Sequence, residues 1–288
     1  MGYCASIGKD GKMKLHTHVF GGMVLLACSL HLFAKVENDS IQRVDAKNVQ
    51  VICLNDERKR PFAELWDRYK ASSLDEYRQL LATLMTEREK TEVTDSIDRE
   101  ICASFEAEPS STNALFLGLC TSERSRRLLL ESKDHPDPAV RDSVRLALAR
   151  RGDSDYARQF IQQYQASPIS RKLTVALAKD REATKTVRRL EYIGTPDALT
   201  ALFDGAASHA LAEEPFSGSN RVIVHSTTLQ NFRDFMIAMG VSIPDTVSTG
   251  RELANWWKEN RERLVALMRQ KGSTLPRIRG TRFGIGYL

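Results

Sequence analysis

The stretch Asp137-Pro138-Ala139-Val140-Arg141-Asp142-Ser143-Val144-Arg145-Leu146-Ala147-Leu148-Ala149-Arg150-Arg151-Gly152-Asp153-Ser154-Asp155 decides the fold. It reads as one helix, its stop, and the start of the next. Asp is a good N-cap acceptor, and Pro is tolerated at the first helical position. Val140, Val144, Ala147 and Leu148 fall on one apolar face. Arg150 and Arg151 occupy the last turn, where positive charge suits the helix dipole. Gly152 ends the helix. Asp153-Ser154-Asp155 opens another, with Ala157, Phe160, Ile161 and Tyr164 along one side.

This unit has a second copy. Gly194-Thr195-Pro196-Asp197 is followed by Leu199, Leu202, Phe203 and Ala206, each 42 residues after its counterpart. Gly152 matches Gly194, Asp155 matches Asp197, and Leu148 matches Leu190. A period of this size belongs to two-helix repeats, in which a helix pair that cannot bury its apolar face alone stacks on its neighbour. The expected fold is therefore all-α, an α-solenoid of stacked helix pairs.

Working outward, Phe62, Leu65, Trp66 and Tyr69 share one helical face, and Leu74, Tyr77, Leu81 and Leu84 share the next. Ile97, Ile101 and Phe105 mark a third helix, preceded by Thr94-Asp95. Beyond residue 210 the pattern changes. Leu229, Phe232, Met236 and Met239 make one more helix, and Leu253, Trp256, Trp257, Leu264 and Met268 line another. Strand signals are scarce, with Arg221-Val222-Ile223-Val224-His225 the one short candidate.

The pattern Asp137-Pro138-x-Val140-Arg141, then Ala147-Leu148, then Gly152-Asp153, resembles HEAT repeats of the bilin-lyase-like type. The resemblance covers residues 135–165 well and 180–207 less closely, and it is loose before residue 135. It implies an Asp-Pro that opens the first helix and an Arg that ties neighbouring repeats together. Trp256-Trp257-Lys258-Glu259-Asn260 resembles a Trp-Trp-x-x-Asn segment at the C-terminal end of exported bacterial HEAT-repeat proteins, which implies a cap closing the core.

At the N-terminus, Lys9, Lys12 and Lys14 precede an apolar run from Val19 to Ala34, interrupted by Gly21, Gly22 and His31. A basic region, a short apolar region and a small residue are the parts of a signal peptide. The run falls short of the roughly 20 apolar residues that span a bilayer. Cleavage after Ala34 is the leading expectation, and an uncleaved anchor is the alternative. Leu25-Leu26-Ala27-Cys28 also resembles a lipobox, with Cys28 as the lipidated residue. Met1-Gly2-Tyr3-Cys4-Ala5-Ser6 fits a myristoylation pattern. Met13 is an alternative start to Met1. The expected organisation is 1–34 signal peptide or membrane anchor, 35–210 HEAT-like repeats, 211–270 helical cap and 271–288 flexible tail.

The chain is 42% apolar and 27% charged, the profile of a globular protein. Its net charge is +5, of which residues 1–34 carry +2, leaving +3 spread along the body. That bias is too weak to argue for nucleic acid. Of the five cysteines, Cys53, Cys102 and Cys120 lie in the body, with no CxxC pair and no His at ligand spacing, so no metal site is expected. Cys102 and Cys120 are candidates for a disulfide between adjacent helices, or else for buried thiols. His135, His209 and His225 fall in expected loops, outside any catalytic pattern.

Candidate binding residues are Arg141 and Arg145, as part of an anionic-ligand groove or as inter-repeat ties. Trp256 and Trp257 are candidates as a stacking platform or as core. These features imply a non-catalytic helical-repeat scaffold in the periplasm or cell envelope, binding a protein or peptide partner, without a cofactor and touching membrane only through its N-terminal segment. The alternatives are an enzyme on the same scaffold, as the bilin-lyase resemblance implies, and a cytosolic nucleic-acid binder.

Overall fold

The structure is a computed structural model that describes residues 2–7, 13–18, 39–45, 48–166, 181–212 and 231–278. The predicted apolar run 19–34, including Cys28, and the strand candidate Arg221–His225 lie outside the described residues. The chain divides into two compact units, residues 1–84 and 85–288.

The first unit begins with four strands: β1 (Gly2–Ile7), β2 (Met13–His18), β3 (Asp39–Asp45) and β4 (Asn48–Cys53). They form one sheet in the order β2-β1-β3-β4. The pairs β1/β2 and β3/β4 are antiparallel, and the central pair β1/β3 is parallel. The β3/β4 register closes at Asp45↔Asn48, the separation of a two-residue hairpin connection. The helical expectation is met from Leu54 onward, where neighbouring helices pack, and these strands precede it. The residues read as the basic region of a leader supply β1 and β2, and the first residues of the expected repeat domain supply β3 and β4.

From Leu54 onward every described regular element is helical. In the first unit these are α1 (Leu54–Lys59), α2 (Phe62–Ala71) and α3 (Asp75–Thr86), whose last turn contains the unit boundary. The predicted stripe of α2 is its buried face, and Trp66 and Tyr69 stack at 5.6 Å. Glu57 is buried and paired with Arg60 and Arg68, each at 3.1 Å.

The second unit continues with α4 (Asp95–Ala107), α5 (Ser111–Leu117), α6 (Glu123–Glu131), α7 (Pro138–Arg150), α8 (Ser154–Ala166), α9 (Arg181–Ile193), α10 (Pro196–Ala212), helical residues 231–238 (α11) and α12 (Gly250–Lys271). His209 therefore lies in a helix, where a loop was expected. Side-chain caps set several of the starts. Thr94, Ser110, Ser122 and Asp137 each accept a backbone N–H from the first turn. Thr249 and Glu252 form a capping box at α12.

The 42-residue duplication is present as two helix pairs, α7–α8 and α9–α10. Within each pair the helices touch, and α7 also packs on α9 and α8 on α10. Ala157, Phe160 and Tyr164 in the first copy, and Leu199, Leu202 and Phe203 in the second, are buried in one core. Phe203 meets Phe232 edge-on at 4.5 Å and Trp257 at 5.3 Å, which carries the core from α10 into α11 and α12. Such pairs add about 0.5–1.5 kcal/mol beyond area burial. Among the described residues, no helix is long and apolar enough to cross a membrane.

Candidate functional site

The arginines singled out from the sequence are used close to home. Arg141 donates to the His135 carbonyl at 3.0 Å. Arg145 donates to the Lys133 carbonyl at 3.2 Å and to Asp134 at 3.1 Å. Both fold back on the loop that enters α7. A tie between the two helix pairs is made by Arg189 of α9. Its guanidinium reaches Gln163 of α8 at 3.2 Å and Asp142 of α7 at 3.3 Å, and lies over the Phe160 ring at 5.2 Å.

Trp256 and Trp257 are 8% and 2% exposed. The Trp257 indole N–H donates to Asp204 at 3.0 Å, and Arg261 grips the same carboxylate with two bonds of 2.8 Å. Their rings pack on Phe203 and Phe232 and offer no open stacking face.

Cys102 and Cys120 are buried free thiols, so the candidate disulfide is not formed. Cys102 donates to Asp98 at 3.4 Å, and Cys120 to the Phe116 carbonyl at 3.5 Å. Burial, then the Asp98 hydrogen bond, pushes the Cys102 thiol up to about 11, and burial raises Cys120 further. Thiols held in the protonated form are poor nucleophiles for exchange. Asp98 is itself buried and accepts the N–H groups of Thr121 and Ser122, each at 3.1 Å, which fixes the start of α6.

The residues that sequence reasoning undervalued are buried and half-buried cations at helix C-termini. A helix end leaves carbonyls without intrahelical partners and carries partial negative charge. Arg151, just past α7, donates to the carbonyls of Cys120 at 2.6 Å, Ser122 at 3.1 Å and Leu117 at 3.5 Å, where α5 ends. Lys90 donates to the Arg150 carbonyl at 3.1 Å, at the end of α7. The Arg150 side chain, 3% exposed, donates to the carbonyls of Thr86 and Arg88, each at 2.8 Å, and to that of Tyr192 at 3.3 Å. It also lies over the Tyr192 ring at 4.6 Å.

Arg277 completes the set at the end of α9. It donates to the carbonyls of Glu191 at 2.8 Å and Ile193 at 3.3 Å, and also to that of Tyr192. Its own backbone N–H is held by the Glu89 carboxylate at 3.0 Å. Leu275 and Ile278 on either side are buried in the main core. Of the tail expected from residue 271, residues 272–278 carry two buried apolar side chains and a part-buried guanidinium bonded to the end of α9. Gly194 makes room for it. A Cβ there would stand 2.0 Å from Arg277 Nη1, and the backbone has φ +60°.

Electrostatics make this a crowded cluster. Burial, then the charges of Arg150, Arg151 and Arg277, lowers the Lys90 ammonium to about 8. Burial, then Arg277, lowers Arg150. Burial also lowers Arg277, against the pull of Glu89. Chemically, the arrangement recognises cationic donors through backbone carbonyls. Among the described residues, no group of His, Cys, Asp and Glu side chains is placed to hold a metal ion.

Comparison with protein-family models, with curated proteins and with solved structures finds no match to this chain.

Proposed function

We propose that the chain is a HEAT-like helical-repeat protein acting as a non-catalytic scaffold, an α-solenoid whose stacked pairs hold a protein or peptide partner in the cell envelope. The observation that carries this reading is the 42-residue duplication, in which α7 packs on α9 and α8 on α10. Stacking like helices on like is how repeat proteins build extended surfaces, and such surfaces are used to bind other chains. Export rests on the basic and apolar pattern of residues 9–34. Processing after Ala34 would remove β1 and β2 and leave β3 and β4 as a lone hairpin, marginal by itself.

Two measurements test the reading. Intact mass of the protein from membrane and soluble fractions of its host is expected to show a start near Lys35, or at Cys28 if lipidated. A full-length chain confined to the cytosol contradicts export. Envelope extract passed over the immobilised protein is expected to yield a partner whose purified form binds with a stoichiometry measurable by calorimetry. Retention of nucleic acid or of a chromophore instead favours the nucleic-acid or the enzyme reading.

A further inference from the structure

The α9 terminus is built as a socket, and the group that fills it comes from far away in the chain. Gly194 ends α9 with one backbone bond, from its N–H to the Leu190 carbonyl at 2.9 Å. The next three carbonyls, of Glu191, Tyr192 and Ile193, converge on a single guanidinium. The floor is a glycine whose missing Cβ is the space the guanidinium occupies. A separate element, Glu89, holds the main chain of the incoming segment.

That segment, Leu275-Pro276-Arg277-Ile278, has the attributes of a docked peptide: a main-chain hydrogen bond, a side chain held by three convergent carbonyls and two buried apolar anchors. It follows α12 through the turn Gly272–Thr274, where Gly272 has φ +51°, a conformation glycine adopts easily.

Its docking is not fully compensated. Arg277 Nε and Arg150 Nε are both buried without a hydrogen-bond partner. The two guanidinium groups share the Tyr192 carbonyl. A buried charge is firmly held only when its donors are all satisfied and its charge is balanced. Here two like charges meet at one carbonyl, which has two lone pairs to serve both, and Glu89 and Glu191 offset only part of the charge, so the site reads arginine well while release of the segment relieves its repulsion with Arg150.

We propose that the α9 C-terminal socket is a recognition site for an arginine flanked by apolar residues in an extended peptide, and that the chain's own residues 275–278 fill it as a displaceable plug. The proposal rests on the scaffold reading above and names the chemistry of its partner. Glu191, Tyr192 and Ile193 supply the acceptors, Gly194 the space, and Glu89 the main-chain contact.

The test uses the full-length chain and a fluorescent peptide with the sequence of residues 272–281. Two opened variants are compared with wild type: Arg277→Ala, and Leu275→Asp with Arg277→Ala and Ile278→Asp. The single substitution serves if the triple variant fails to fold, judged by helical circular dichroism. The expected result is peptide binding to an opened variant at least about tenfold tighter than to wild type, and at least about tenfold tighter than that of a peptide with Ala in place of the central arginine, a difference of about 1.4 kcal/mol. A folded, opened variant that binds neither peptide, or both equally, overturns the proposal. If wild type and the Arg277→Ala variant retain the same envelope partner equally while neither peptide binds, the socket falls and the scaffold reading stands.

Discussion

The two copies of the repeat share their helices and differ at their turns. At Gly152, φ +101°, the Gly152 N–H reaches the Ala149 carbonyl at 3.1 Å and the Asp153 N–H reaches the Leu148 carbonyl at 3.0 Å. This is the Schellman pattern, in which the chain's own backbone satisfies two of the last carbonyls, while Lys90 takes that of Arg150. A Cβ added at Gly152 meets nothing within 4 Å. At Gly194 the single-bond ending leaves three carbonyls for Arg277, and the glycine space is full. The copies also diverge at equivalent positions 42 apart, Arg150 and Tyr192, and stacking brings those two side chains face to face. The shared 42-residue spacing sets the register, and the different turns leave the α7 end served mainly by its own backbone and the α9 end by Arg277.

The largest expected effect comes from breaking the link between the copies. Arg150→Ala leaves the carbonyls of Thr86 and Arg88 without their donor and removes the contact with Tyr192. A loss of about 3–5 kcal/mol in urea unfolding is expected, from carbonyls that lose a buried donor at about 1–3 kcal/mol each together with the lost packing on Tyr192. A loss below 1 kcal/mol would mean that Arg150 does not join the copies.

The paired glycines come next. Gly194→Ala must displace a guanidinium as well as hold a positive φ, and about 3 kcal/mol is expected. Gly152→Ala adds only the backbone strain, about 1–2 kcal/mol. Equal losses at the two sites would show that the turns do not differ in solution.

The crowding of cations predicts a pH dependence. Lys90 sits near 8 in the folded chain against an ordinary value of 10.5. Below pH 8 the fold bears the cost of holding the charged form, and above 10.5 the amine is neutral in both states. Stability contributed by this group therefore rises as pH increases from about 8 to 10.5. Lys90→Met is expected to remove that slope from denaturation measured across the window. An unchanged slope would place Lys90 in water.

The smallest effect is at α12, whose end feeds the plug. Glu252 is held near 2 by the N–H groups of Thr249, then Ser248, below its ordinary 4.5. Its contribution is present above pH 4.5 and is lost as pH falls through 2. Thr249→Ala should speed amide exchange in the first turn of α12 and leave Arg277 docked. Undocking in that variant would show that the cap and the plug are coupled.

The helical half was legible because local chemistry and periodicity agree at Asp137-Pro138 and at the two matching glycines. The sheet was not. Its strands are short, and the apolar run at 19–34 drew the N-terminus toward a leader, although Asp10-Gly11 between β1 and β2 is a hairpin signal. Trp256 and Trp257 were visible as apolar positions on a helix, but only the packing of Phe203 and Phe232 decides that they lie inside. The socket was invisible for a physical reason. It is made of backbone carbonyls, which every residue carries, and its ligand Arg277 stands among glycines and arginines that read as loose chain.

The most direct measurement is the fluorescent 272–281 peptide titrated against Arg277→Ala chains that also carry either Gly152→Ala or Gly194→Ala. The difference between the turns predicts that the Gly152→Ala chain binds like its parent and the Gly194→Ala chain at least about tenfold more weakly. Equal binding by the two, with both chains folded, would contradict it.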